Sequence, residues 1–170
     1  WLLLLMIAST FTGQIIEGFE AQLATIAGLT ACIPMLMGTG GNSGNQVSTL
    51  IIRGLALGEV KIKDYFKILW KEIRVSLMVG VALAVANVAR MLIVRALTGG
   101  DTANSVIMVV SLSVAAVVIV SKTIGCTLPI VAKILKLDPA LMAGPLITTL
   151  VDTISLIIYF ALTKALIPMG

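Results

Sequence analysis

One acidic residue of this 170-residue chain stands at the centre of a long apolar stretch: Asp152, with twelve uncharged residues before it (140–151) and eleven after it (153–163). Placing a carboxylate at such a depth in a membrane costs about 2.5–3.5 kcal/mol even on lenient insertion scales, so a side chain of this kind faces a bundle interior or a watery path. Interhelical glue, with Asp152 tied to an Asn or Thr, is the simpler alternative. Gly144, Thr148, Asp152, Ser155 and Tyr159 follow at steps of four, four, three and four, which puts them on one helical face. Pro34, Gly38, Gly41, Asn45 and Thr49 repeat the pattern upstream. Two small or polar faces at one depth predict a lined pathway. Asn42, Asn45 and Gln46 crowd the stretch that holds Gly38, Gly40, Gly41 and Gly44, more amide than tight helix crossing needs. Glycines let a backbone approach a permeant species, and Pro34 cannot donate the amide that would occupy the carbonyl four residues earlier. Carbonyl oxygens of this segment are therefore expected to face the path, the device of cation filters.

Every donor in this set is an oxygen: one carboxylate, Asn and Thr side chains, and glycine carbonyls. Such a set suits hard cations and not zinc or copper. The chain has no His, which removes Ser-His-Asp triads, Cys-His dyads and His-based zinc or haem sites. Cys32 and Cys126 lie in apolar segments without CxxC spacing and read as packing residues. Neither phosphate-binding glycine framework is present around the Gly-rich run. An aspartyl hydrolase needs two carboxylates in one site, and only one Asp lies at mid-membrane in each chain. No enzymatic activity is expected. One carboxylate is also little for a dehydrated divalent ion, but a two-fold homodimer would supply two. Mg2+ keeps several waters and takes one or two carboxylates, which fits that arithmetic better than a Ca2+ cage. The residues alone reach as far as a hard divalent cation.

Composition supplies the setting that must position these groups. With 59% hydrophobic and 12% charged residues, and a mean hydropathy of +1.11, a soluble domain is excluded. The formal charge of +4 comes from basic residues separated by apolar stretches, which speaks for membrane orientation and against nucleic acid. A span takes about 20 apolar residues, and five segments reach that length: about 1–22, 23–52, 75–97, 103–128 and 140–166. They must be helices, since a lone strand would leave its backbone unpaired in lipid. The expected fold is an all-α membrane protein, its second helix kinked or partly broken at Pro34 and the 38–44 run.

Ile62, Tyr65, Phe66, Leu69, Trp70 and Ile73 recur at helical spacing with lysines between them. They predict an amphipathic helix over about 60–74, lying in the inner interface. Gly80 with Ala84, and Ser111 with Ala115, predict close helix packing. Nine Lys and Arg fall on the side of the 53–74 loop, counting Lys122, Lys133 and Lys136, against Arg90, Arg95 and Lys164 on the other. The N-terminus is therefore expected in the cytoplasm, with Glu17, Glu20, Asp101 and the C-terminus outside. Glu17 and Glu20 would concentrate cations at an outer mouth, or simply solvate a helix end. The chain opens at Trp1 inside an apolar run, and a preceding soluble domain is expected.

Pro34 followed by GTGGNSGNQ (38–46), IIRGLALGEV (51–60) and LDPALMAGPLITTLVD (137–152) resembles the membrane domain of the MgtE magnesium channel family, over essentially the whole chain. The resemblance implies five transmembrane helices per chain and a homodimer with the pore at the dimer interface, between the second and fifth helices. It implies Asp152 as the carboxylate holding hydrated Mg2+, with Gly38, Gly41, Asn45 and Thr148 contributing to the metal site. Pro34, Asn42, Thr49, Gly144, Ser155 and Tyr159 would complete the lining. It further implies a bacterial inner membrane, N-terminal cytosolic regulatory domains outside this chain, and Mn2+, Co2+ or Ca2+ as substitutes for Mg2+. Passive conduction is the expected activity; a proton- or sodium-coupled transporter using Asp152 as its coupling site is the alternative.

Overall fold

A computed structural model describes residues 2–19, 28–100, 102–142 and 144–167, and every regular element among them is helical. The elements are α1 (Leu2–Gly18), α2 (Leu29–Ala56), α3 (Tyr65–Thr98), α4 (Asn104–Ile134) and α5 (Pro145–Leu166). A 3-10 turn, Ile62–Asp64, leads into α3, and a single helical turn, Pro139–Met142, precedes α5. Gly99, at φ 64°, ends α3 in the left-handed conformation that lets a chain leave a helix. Pro145 opens α5, where its missing amide is no loss.

Valines make α4 the centre of the molecule. Val106, Val109, Val110, Val114 and Val117 are buried among Leu29 and Leu36 of α2 and Leu156 and Phe160 of α5. In their most apolar windows α4 is 56% buried, whereas the segment Ile62–Thr98 is 17% buried, so α3 turns most of its apolar surface outward. The crossing of α3 on α4 is close, as the small-residue spacing predicts: a Cβ on Gly80 would lie 3.1 Å from the Ala115 carbonyl oxygen. On the other flank α1 rests on α5, with the Thr12 and Thr153 hydroxyls 3.3 Å apart and Phe19 stacked on Phe160 at 4.3 Å.

The structure bears on three of these expectations. Only Ile62–Thr98, Asn104–Ile134 and Pro145–Leu166 among the described residues are long and apolar enough to cross a membrane by themselves. The described part of α1 has 17 residues, and the glycines and amides of 38–46 dilute α2. The expected amphipathic helix at 60–74 is not a separate element, for α3 runs unbroken from Tyr65 to Thr98. No Gly or Pro occurs between residues 61 and 79 to stop it. Lys122, counted above on the basic side and already within the expected fourth span, is only 6% exposed in α4.

Candidate functional site

The two polar faces meet. α2 and α5 pack against each other, and glycine is what lets them do so. A Cβ on Gly40 would lie 2.8 Å from Ser155 Oγ, Val117 Cγ1 and Val151 Cγ1, and one on Gly44 would lie 3.1 Å from Ile147 Cγ2 and 3.2 Å from the Ser121 carbonyl oxygen. Gly41 faces the Asp152 carboxylate: its Cβ position is 3.8 Å from Oδ1 and 3.3 Å from Thr148 Cγ2. Any side chain at residue 41 would thus stand between α2 and the carboxylate.

Around that approach runs a chain of oxygens. Asn45 Nδ2 donates to Thr148 Oγ1 at 3.0 Å, and Thr148 Oγ1 donates to the Gly144 carbonyl at 2.9 Å. This fixes the Asn45 amide so that its Oδ1, although buried, has no partner among the described residues. A buried acceptor left unpaired is costly and marks a place where a water or cation would be welcome. Asp152 is half-buried, and among the described residues no hydrogen bond occupies its carboxylate. Among the described residues no cluster of three His, Cys, Asp or Glu exists to strip an ion of its water. What one chain offers is a single negative charge flanked by neutral oxygens, suited to a hard cation that keeps part of its hydration.

Pro34, Gly38, Asn42 and Thr49 lie on exposed parts of α2, and a Cβ at Gly38 would meet nothing within 4 Å. Gly144 and Thr148 are half-buried, Thr148 one turn before Asp152 and Gly144 at the cap of α5 a turn earlier. Ser155 and Tyr159 share the helical face of Asp152 but not its exposure. Ser155 is buried against Gly40, and Tyr159 is wholly buried with its hydroxyl donating to the Leu29 carbonyl at 3.0 Å. The start of α2 thus covers Tyr159 and its middle covers Ser155, so neither side chain is open within a single chain. Glu17 is exposed at the end of α1, and Glu20 lies outside the described residues.

Of the two forms expected for α2, kinked or partly broken, the break is absent: the backbone is helical from Leu29 to Ala56, through Pro34 and the glycines. The carbonyls of the 38–46 run stay within the helix, and its buried glycines serve packing. The sequence reading missed Gly125 of α4, whose Cβ would collide with the Gly44 carbonyl. The signal was present, since Ser121 and Gly125 are a small pair four apart.

Fold and site together define a helical membrane protein with an oxygen-lined, singly acidic seam suited to hard cations. The chain belongs to the MgtE family, described as divalent cation transporters, whose pattern matches residues 33–162 and so takes in both faces of the seam. It is 34% identical over 167 residues to a Thermus thermophilus protein named magnesium transporter MgtE, covering 98% of this chain and 36% of that one. A Bacillus subtilis protein of the same name is 36% identical over 169 residues, again 98% of this chain and 36% of the relative. A third, from Enterococcus faecalis, is 28% identical over 160 residues, 94% of this chain and 34% of its own length. The chain thus spans about a third of the length of these relatives, all of them transporters by name.

Proposed function

We propose that this chain is the membrane-embedded, ion-conducting part of a magnesium transporter, passing hydrated Mg2+ passively down its electrochemical gradient. The observation that carries the reading is the α2–α5 seam, where Gly41 leaves the Asp152 carboxylate open beside Asn45 and Thr148. Two copies would pair with their seams facing, so that two Asp152 carboxylates share one ion. All five helices then cross the bacterial inner membrane, α2 gaining from its neighbours the apolar cover that its own sequence lacks. The N-terminus lies in the cytoplasm, where regulatory domains of the whole protein precede the chain. Glu17 and Glu20 gather cations at the outer mouth, and Mn2+, Co2+ or Ca2+ compete for the same oxygens.

The experiment is Mg2+ influx into dye-loaded proteoliposomes under an imposed membrane potential, with pH and Na+ equal on both sides. Influx that follows the potential and is lost in Asp152→Ala is the expected result. Influx that needs a proton or sodium gradient would make the protein a coupled transporter. Full influx in Asp152→Ala would remove the carboxylate from the path.

A further inference from the structure

Away from the seam, a cavity of about 350 Å3 opens between the start of α3 and the end of α4. Ile62, Phe66, Ile130, Val131 and Ile134 line it, together with Lys63. The Tyr65 hydroxyl, also in its wall, donates to Thr127 Oγ1 at 3.0 Å, and Thr127 donates in turn to the Thr123 carbonyl at 2.7 Å. Lys63 is the one charged group in the lining, and among the described residues no ion pair occupies it. Ile62, Phe66, Val131 and Ile134 are exposed, Phe66 by 79%, and the apolar surface continues along α3 through Trp70 and Leu77.

Lysines surround this opening. Lys61, Lys63, Lys67 and Lys71 are all exposed, as are Lys133 and Lys136 at the end of α4, while Asp64 and Glu72 are the only acidic residues in 61–74. Lys67 stands in the first turn of α3, four residues after Lys63 of the 3-10 turn, which keeps both exposed ammonium groups within reach of one anion at this end of the helix. An occupant must be apolar along its length, to match the cavity and the outward face of α3, and anionic at one end. That describes a membrane lipid with a phosphate headgroup, and basic pockets between transmembrane helices are known lipid-headgroup sites.

We infer that this cavity binds one anionic phospholipid, its acyl chain against Phe66, Ile130 and Ile134 and its phosphate between Lys63 and Lys67. Trp70, exposed and one turn beyond Phe66, reports on it. The chain has two tryptophans, so Trp1→Phe leaves Trp70 as the sole fluorophore. In bilayers holding equal fractions of brominated phosphatidylglycerol or brominated phosphatidylcholine, the anionic lipid is expected to quench Trp70 several-fold more effectively. Lys63→Gln with Lys67→Gln should abolish the preference, at roughly fivefold in lipid affinity per lysine. Quenching by brominated phosphatidylcholine should persist in that variant, which shows it is folded and inserted, and Lys164→Gln should leave the preference intact. Equal quenching by the two lipids, a preference that survives the double substitution, or quenching by neither lipid because a second protein surface covers the cavity, would each overturn the inference.

Discussion

Three glycines of the helix bundle make a graded test of how closely α2, α4 and α5 approach. A Cβ at Gly38 would meet nothing within 4 Å, so Gly38→Ala adds a methyl group in open space. It should gain up to about 1 kcal/mol from helix propensity. At Gly40 the added Cβ would lie 2.8 Å from three side-chain atoms, about 0.7 Å inside the distance at which carbon contacts become attractive. Overpacking of this kind costs about 1–3 kcal/mol, which the propensity gain offsets in part, leaving a net loss of about 0–2 kcal/mol. At Gly125 the obstacle is the Gly44 backbone carbonyl, which no rotamer change can move. Gly125→Ala should therefore be the worst of the three, with a net loss of about 2 kcal/mol or more. Reversible unfolding in mixed detergent micelles, followed by tryptophan fluorescence, measures the series. The expected order of stability is Gly38→Ala, then Gly40→Ala, then Gly125→Ala. A Gly125→Ala protein as stable as Gly38→Ala would refute the α2–α4 contact on which the placement of the seam depends.

Tyr159→Phe removes the hydroxyl that bonds the Leu29 carbonyl, which keeps its bond within α2, so unfolding measurements should show a loss of about 0.5–1.5 kcal/mol. Because Tyr159 is wholly buried, Mg2+ influx by the folded variant should match wild type. Asn45→Ala removes the donor to Thr148 and the unpaired Oδ1 together, costing about 0.6–1.7 kcal/mol of stability but weakening influx well beyond what the stability change explains. Spin labels at Lys67 and Val81, both exposed on α3, should be separated by about 21 Å along the axis of one straight helix. A markedly shorter distance by pulsed electron resonance would show a bend where the helix runs on without one.

Much of the site was legible because its signals are local. A carboxylate isolated among apolar residues announces its own cost, and the four-residue spacing of Gly41 and Asn45, or of Thr148 and Asp152, fixes their faces without any tertiary knowledge. The Gly80 and Ala115 contact followed from small residues four apart for the same reason. Periodicity gives a face but not what covers it, which is why Ser155 and Tyr159 read as lining until α2 was seen to cross them. Pro34 and the glycines suggested a kinked or partly broken α2 because propensity acts one helix at a time. In the bundle, α4 and α5 close on Gly40, Gly44 and Gly125, and tertiary packing holds the helix together. The amphipathic stretch was separated from α3 on polarity alone. Its Tyr65, Ile68 and Leu69 pack against Val47, Cys126 and Ile130, which keeps that turn of α3 in line with the rest.

The most direct test of the proposed conduction path is the Mg2+ current across a planar bilayer holding the wild-type protein or Asp152→Asn, with identical pH and no Na+ on either side. The substitution keeps the size of the side chain and removes its charge. A voltage-driven Mg2+ current in the wild type that vanishes in Asp152→Asn is the expected result. A current of undiminished size through Asp152→Asn would contradict the assignment of that carboxylate to the ion's path.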